Sequence, residues 1–360
     1  MKIIFVTPST NRPIGGIKVI YRYVEKFNKI GIKSFIMHTI KHFKCTWLDE
    51  LPTFYNENYL YNTDHYIFTE QGILNHENLL LSNNIRFSIF VQNGYHLSLG
   101  INDLNAKKRL SKIYNSANLI LSISDDTTKI LRSFLNIPDK KIVRMYYHKK
   151  MSINHENFIK ENLISYMPRK NYDHAQKVVF GLSDKLPEDW KIKPIVDMTD
   201  DEVFKTLTKS KIFLSFSNFE GLPAPPIEAA FLYNYVIGYH GQGGKEYWIN
   251  PVFDHIEPYN IQLFVDTVLK QISYIDKMDN FPHNEFYTFR KSYGEMFSEE
   301  NEIKSLENLF SRISSLYNKE EEIVKTPNYI QKQRLIYSFE EKYSRIRNKF
   351  FGKTKYWEIN

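Results

Sequence analysis

Residues 212–228 read Ile-Phe-Leu-Ser-Phe-Ser-Asn-Phe-Glu-Gly-Leu-Pro-Ala-Pro-Pro-Ile-Glu: an apolar run, a turn, and a segment opened by two prolines. The run 212–216 predicts a buried strand, since a short continuous apolar stretch bounded by turn residues suits a strand covered on both faces. Asn218 and Gly221 mark the turn. Pro225 and Pro226 predict a helix over about 225–233, because proline is tolerated in a first turn, whose N–H groups have no intrahelical acceptor. A second apolar run at 235–239 supplies the next strand. Strand, turn, helix and strand make a β-α-β unit, and with it a parallel sheet. Glu220 then sits on the loop and Glu228, with seven residues between them, lies near the first turn of the helix. Both fall at the carboxyl end of a parallel strand, where ligands bind in open α/β sheets. The helix N-terminus adds a positive dipole end and unpaired N–H groups that suit a diphosphate.

The same alternation extends in both directions. Strands are expected at 3–7, 34–38, 65–69, 87–92 and 119–124, with the clearest intervening helices at 16–30 and 125–135, the latter capped by Ser124 or Asp125. After 143–147 a polar, charge-mixed stretch at 149–161 reads as an interdomain link. A second series then restarts at 163–167, with a helix at 173–179, a strand at 192–196 and a helix at 200–207. Residues beyond 260 read as helical, including a helix across 300–316. We therefore expect a first domain over 1–155, a second over 156–325, and a terminal segment over 326–360. From 329 to 360 the chain carries eight Lys or Arg against three Glu, interleaved with Leu335, Phe339, Tyr343, Ile346, Phe350 and Phe351. Such a basic amphipathic helix suits an anionic membrane surface, or packing on the first domain.

At 360 residues, with 42% hydrophobic and 25% charged side chains, the chain is long enough for two cores and too apolar to be disordered. A net charge of +7 calls for anionic partners. No finger or aromatic recognition signature accompanies it, so nucleic acid is not expected. The single cysteine, Cys45, allows no internal disulfide and is consistent with a reducing cytoplasm. The apolar start at 3–6 is too short for a signal peptide and reads as a first strand. No run approaches the roughly 20 apolar residues that span a bilayer. No Asp, His or Cys spacing suggests metal ligands, and no Gly-x-Gly-x-x-Gly follows the first strand, which argues against a dinucleotide dehydrogenase.

From Lys211 to Trp248, the strand, the Glu-x7-Glu pair and the Gly-Gln-Gly-Gly loop at 241–244 resemble the donor-binding core of the group 1 (family four) GT-B retaining glycosyltransferases. Ile164-Ser165-Tyr166-Met167-Pro168-Arg169-Lys170 is similar to the first strand and basic loop of that family's second domain. A weaker likeness lies in Gly15-Gly16. The resemblance implies an α/β GT-B fold of two facing Rossmann-like, doubly wound domains with a C-terminal helical extension. It also implies a metal-independent enzyme without a cofactor. Such an enzyme moves a sugar from a nucleotide-diphosphate sugar to a glycan or polyprenyl-linked acceptor, as in bacterial cell-surface polysaccharide synthesis at the inner face of the plasma membrane.

Residue roles follow from the same resemblance. Glu228 would accept the ribose hydroxyls and Glu220 would hold the transferred sugar. Arg169, with Lys170, would neutralise the diphosphate. Gly221, Leu222, Gly243, Gly244 and Lys245 would line the donor, and Gly15 and Gly16 would approach its diphosphate from the first domain. Many relatives place a histidine at the end of the fourth strand; here the loop is Gln92-Asn93-Gly94-Tyr95-His96, so either Asn93 or His96 would face the substrates. The family's second phosphate lysine, five residues after Arg169, is replaced by His174, which leaves Lys170 or Lys245 as the substitute. His148 and His240 are expected to be structural. Two competing readings are a nucleotide-sugar epimerase on the same scaffold and a catalytically silent carbohydrate-binding protein.

Overall fold

The computed structural model describes residues 1–40, 43–48, 59–82, 85–148, 159–279, 281–282, 284–317 and 323–325. The chain divides into two compact units: the first holds residues 1–148 and the segment that returns at Glu299, and the second ends at Ser298.

The first unit begins β1 (Ile3–Thr7), α1 (Gly15–Lys29), β2 (Ser34–His38), β3 (Tyr59–Tyr61), β4 (His65–Thr69), α2 (Glu77–Ser82) and β5 (Arg86–Val91). It continues with α3 (Leu104–Ser116), β6 (Ile120–Ser122), α4 (Asp125–Leu135) and β7 (Ile142–Arg144). Six strands form one parallel sheet in the order β2-β1-β4-β5-β6-β7. Every residue of β1 is buried, as its unbroken Ile-Ile-Phe-Val run requires of a central parallel strand. On α1, Ile17, Ile20, Tyr21, Val24 and Phe27 recur at three- and four-residue spacing and are buried on one face. Ser124, one of the two expected caps, accepts the Thr127 N–H at 3.1 Å and starts α4.

The second unit comprises β8 (Leu163–Tyr166), α5 (Tyr172–Leu182), β9 (Lys191–Pro194), α6 (Asp200–Lys209), β10 (Ile212–Glu220), α7 (Ala224–Phe231), β11 (Tyr235–Gln242), β12 (Phe253–His255), α8 (Ile261–Ile275) and α9 (Glu285–Met296). Its sheet is also parallel, in the order β12-β11-β10-β8-β9. Phe216 of β10 stacks on Phe264 of α8 with ring centres 5.1 Å apart, and Tyr166 and Tyr239 close edge-on around them. The Lys160 ammonium donates to the carbonyls of Leu207, Ser210 and Leu232, satisfying acceptors at the C-terminal ends of α6 and α7. Burial pushes its pKa well below the usual lysine value.

The chain then returns. Helix α10 (Glu299–Ser314) was expected to close the second domain, within 156–325, but it packs on the first unit. Glu302, fully buried, takes a bidentate pair of hydrogen bonds from Arg22 of α1, Nε to Oε1 at 2.9 Å and Nη2 to Oε2 at 3.0 Å. Glu299 pairs with Lys26 of the same helix. At the other end Arg312 donates to the Ile142 carbonyl at 2.9 Å, on the edge strand β7. Its apolar stripe, Leu306, Leu309 and Ile313, fits either domain by pattern alone; the charges on α1 decide the partner. A short antiparallel pair joins β3 to β13 (Ile323–Lys325) in the same unit. The expected basic helix at 326–360 and most of the expected link at 149–161 lie outside the described residues. Among the described residues no helix is long and apolar enough to cross a membrane.

Candidate functional site

In the second unit, the polar residues singled out by sequence gather at the carboxyl ends of β8, β10 and β11. Glu220 is the last residue of a nine-residue β10 rather than a member of the loop beyond it. The register against β11 slips between Ser217 and Glu220, and Phe219 lies in the left-handed region at φ 45°. Such an irregularity re-aims the next side chain and costs about 1–3 kcal/mol at a non-glycine residue. Glu220 Oε1 lies 3.0 Å from Lys170 Nζ, with both side chains partly buried. Lys170 and Arg169 occupy a short 3-10 turn (Pro168–Lys170) after β8; Arg169 is exposed.

Gly221 and Leu222 lead into α7, which starts at Ala224, one residue earlier than expected. The structure corrects the idea that this helix end offers N–H groups to an anion. Pro223 is its cap, and Pro225 and Pro226 occupy its first turn, so three of the four N-terminal positions have no N–H. Glu228 sits at the fifth helical position, partly buried.

The glycine loop explains itself sterically. A Cβ on Gly243 would stand 2.0 Å from the Gly221 carbonyl oxygen and 2.6 Å from that of Glu220, so the two loops touch backbone to backbone. The buried Tyr247 hydroxyl donates to the Pro223 carbonyl at 2.6 Å, tying the 3-10 turn Gly243–Tyr247 to the start of α7. Gly244 packs against Tyr247 and Pro223, while Lys245 is exposed.

His174 stands where a phosphate lysine was sought. Its Nδ1 is 2.9 Å from the Tyr239 hydroxyl, and its ring meets the edges of Tyr239 and Tyr259. Partial burial, reinforced by Lys177, lowers its pKa, so the ring is neutral at pH 7 and supplies no second charge. His240, expected to be structural, accepts the Gln242 N–H through Nδ1 at 3.0 Å, and its ring stacks on His255 at 4.0 Å. Burial, helped by His255 and Lys245, lowers its pKa to about 4.

The first unit holds the remaining expected residues. Gly15 and Gly16 open α1, which has no side-chain cap. Gln92 Nε2 donates to the Gly16 carbonyl at 2.8 Å, joining the end of β5 to that helix start. Asn93 is buried and caps the 3-10 turn Gly94–Ser98 by accepting the Tyr95 N–H at 3.0 Å; its Nδ2 lies 3.3 Å from His96 Nε2. Sequence reasoning passed over Glu70, which follows β4. Its buried carboxylate accepts the Gln92 N–H at 3.3 Å and the Asn93 N–H at 3.2 Å, and lies 3.4 Å from His96 Nδ1. The only sequence signal available was an acidic residue directly after a predicted strand end.

Two parallel α/β units with this topology define the GT-B fold, the fold of the GT-B glycosyltransferases. Solved structures of that class superpose on most of the chain. A glycosyltransferase from Rickettsia africae is similar with a TM-score of 0.61 at 16% identity, over 88% of this chain and 99% of that one. The lipopolysaccharide outer core galactosyltransferase WaaB, in its apo form, gives 0.59 at 16% identity over 88% and 100%. The Anabaena protein HepE, in complex with UDP and glucose, gives 0.58 at 10% identity over 88% and 100%. No protein-family profile matches the chain, and no curated protein matches its sequence.

Proposed function

We propose that the protein is a retaining, metal-independent glycosyltransferase that moves a sugar from a nucleotide-diphosphate sugar to a glycan or lipid-linked glycan acceptor of bacterial surface polysaccharide synthesis. One observation carries the reading: a carboxylate and an ammonium, Glu220 and Lys170, held 3.0 Å apart at the end of β10, beside a backbone contact that only glycine at 243 permits. Glu220 accepts hydroxyls of the transferred sugar, and Glu228, on the adjoining helix, accepts those of the ribose. Before the donor binds, Lys170 neutralises Glu220. Once a diphosphate is present, Lys170 and the exposed Arg169 and Lys245 are cations that can stabilise the departing charge.

Retention needs no protein nucleophile in this scheme. The acceptor hydroxyl attacks from the leaving-group face, the bond to the diphosphate oxygen breaks, and that phosphate takes the hydroxyl proton. Catalysis then rests on positioning and charge stabilisation. Among the described residues no group of three His, Cys, Asp or Glu is arranged to hold a metal ion. The acceptor would be reached at the inner face of the plasma membrane by peripheral contact.

The test is a screen of sugar nucleotides by thermal stabilisation, followed by transfer assays with the stabilising donor. Glu220→Ala is expected to lower kcat by about 10²- to 10³-fold while leaving the melting temperature of the apoprotein unchanged. Near-normal transfer of the same sugar by that variant would overturn the assignment. Release of a modified sugar nucleotide without any acceptor would instead favour an epimerase.

A further inference from the structure

Helix α3 buries Leu110, Ile113 and Tyr114 in the first unit and turns a ridge of Leu104, Lys108 and Lys112 outward, since residues four apart share a helix face. The helix carries four cations, Lys107, Lys108, Arg109 and Lys112, and no acid. Arg109 is paired with Glu77, and the Asp103 carboxylate at the cap accepts the Ala106 N–H at 2.8 Å. The three lysines are exposed. Leu104, the first helical residue, is 65% exposed, and Leu99, in the loop that leads into the helix, is 39% exposed. Two leucines so placed contribute little to the core, and apolar side chains beside a cationic ridge mark an interaction surface. The charge requires an anionic occupant. A second copy of a chain of net charge +7 would set like charges together, and so would the segment 329–360, whose eight Lys or Arg outnumber three Glu. Nucleic acid would meet the lysines but leave both leucines in water. An anionic bilayer accepts both, with ammonium groups at the phosphates and leucines at the acyl boundary.

We propose that the outward face of α3, together with Leu99, docks the first unit on a bilayer of anionic phospholipid. The sequence pointed to the basic segment 326–360 for such contact; the exposed ridge on α3 gives it to the first unit instead. The loop between β5 and α3 carries Asn93 and His96 as well as Leu99, so docking brings that rim of the first sheet to the membrane surface. An acceptor carried on a lipid would then reach the rim without leaving the bilayer. That use rests on the glycosyltransferase reading, whereas the docking itself does not.

The test is flotation of the full-length protein with phosphatidylcholine vesicles, prepared with and without phosphatidylglycerol. Binding is expected only where phosphatidylglycerol is present, and it should weaken as salt is raised. Lys108→Gln combined with Lys112→Gln is expected to lower the affinity about 25-fold, from about fivefold per lysine. Leu104→Glu places an acid where a helix N-terminus favours one, so the fold is kept, yet it sets a negative charge against the bilayer and should lower the affinity about tenfold. Arg345→Gln combined with Arg347→Gln serves as the comparison in the terminal segment. No binding by the wild type, or undiminished binding by both α3 variants, overturns the proposal. A loss confined to the Arg345→Gln and Arg347→Gln variant also overturns it and gives the contact to the terminal segment. Retention on RNA without retention on vesicles would assign the lysines to nucleic acid and overturn it as well. Because no sugar nucleotide enters the assay, failure of the glycosyltransferase reading leaves every one of these outcomes unchanged.

Discussion

Gly243 has the least latitude of any residue in the candidate donor site. The loops after β10 and β11 approach so closely that any side chain at 243 would occupy the Gly221 carbonyl. Gly243→Ala must therefore push two backbones apart, and overpacking of that kind costs about 1–3 kcal/mol. The expected outcome is a folded protein with a lower melting temperature that no longer gains stability from a nucleotide sugar. A variant as stable and as donor-responsive as the wild type would mean that the loops move freely. Glu220, Glu228, Gly243 and Gly244 stand out in the sequence by residue type and spacing. The Lys170–Glu220 contact does not, because Glu220 ends β10 while Lys170 lies on the turn after β8, and the two meet only through the pairing of those strands. Glu70 was invisible for the same reason: it meets Gln92, Asn93 and His96 across neighbouring strands β4 and β5.

Among the elements, α10 shows how a correct pattern leads to a wrong neighbour. Its helical period was read correctly over 300–316, yet an apolar stripe names no partner. Arg22 and Lys26 on α1 face Glu302 and Glu299, and burying Glu302 without a cation would be costly. Glu302→Ala strands the Arg22 guanidinium, which is only 21% exposed. We expect a loss of about 3 kcal/mol in the first unit's unfolding transition, measured in denaturant, with the second unit's transition in place. An equal shift of both transitions would contradict the assignment of α10. Helix α7 gives the converse case. Its prolines correctly announced a start, and the same residues removed the N–H groups that an anion would have used.

For the whole molecule, buried histidines make the two units respond differently to acid. His38, His65 and His76 in the first unit have pKa values lowered to about 4, about 3 and about 4 by burial, whereas only His240, at about 4, is comparably lowered among the described residues of the second. A histidine of depressed pKa binds fewer protons folded than unfolded, so its contribution is complete above the unfolded value near 6.5 and is lost as pH falls toward 4. Each such group costs up to about 1.4 kcal/mol per pH unit in that window. Between pH 7 and 5 the first unit's calorimetric transition should therefore fall further than the second's. Parallel movement of the two transitions would overturn this. The α/β class and the two series of strands followed from sequence alone, because apolar period and turn chemistry are local properties. Which unit α10 joins, which cation meets Glu220 and which carboxylate stands behind His96 were decided only by tertiary structure. Those contacts depend on strand order and register, and no local pattern in the chain encodes them.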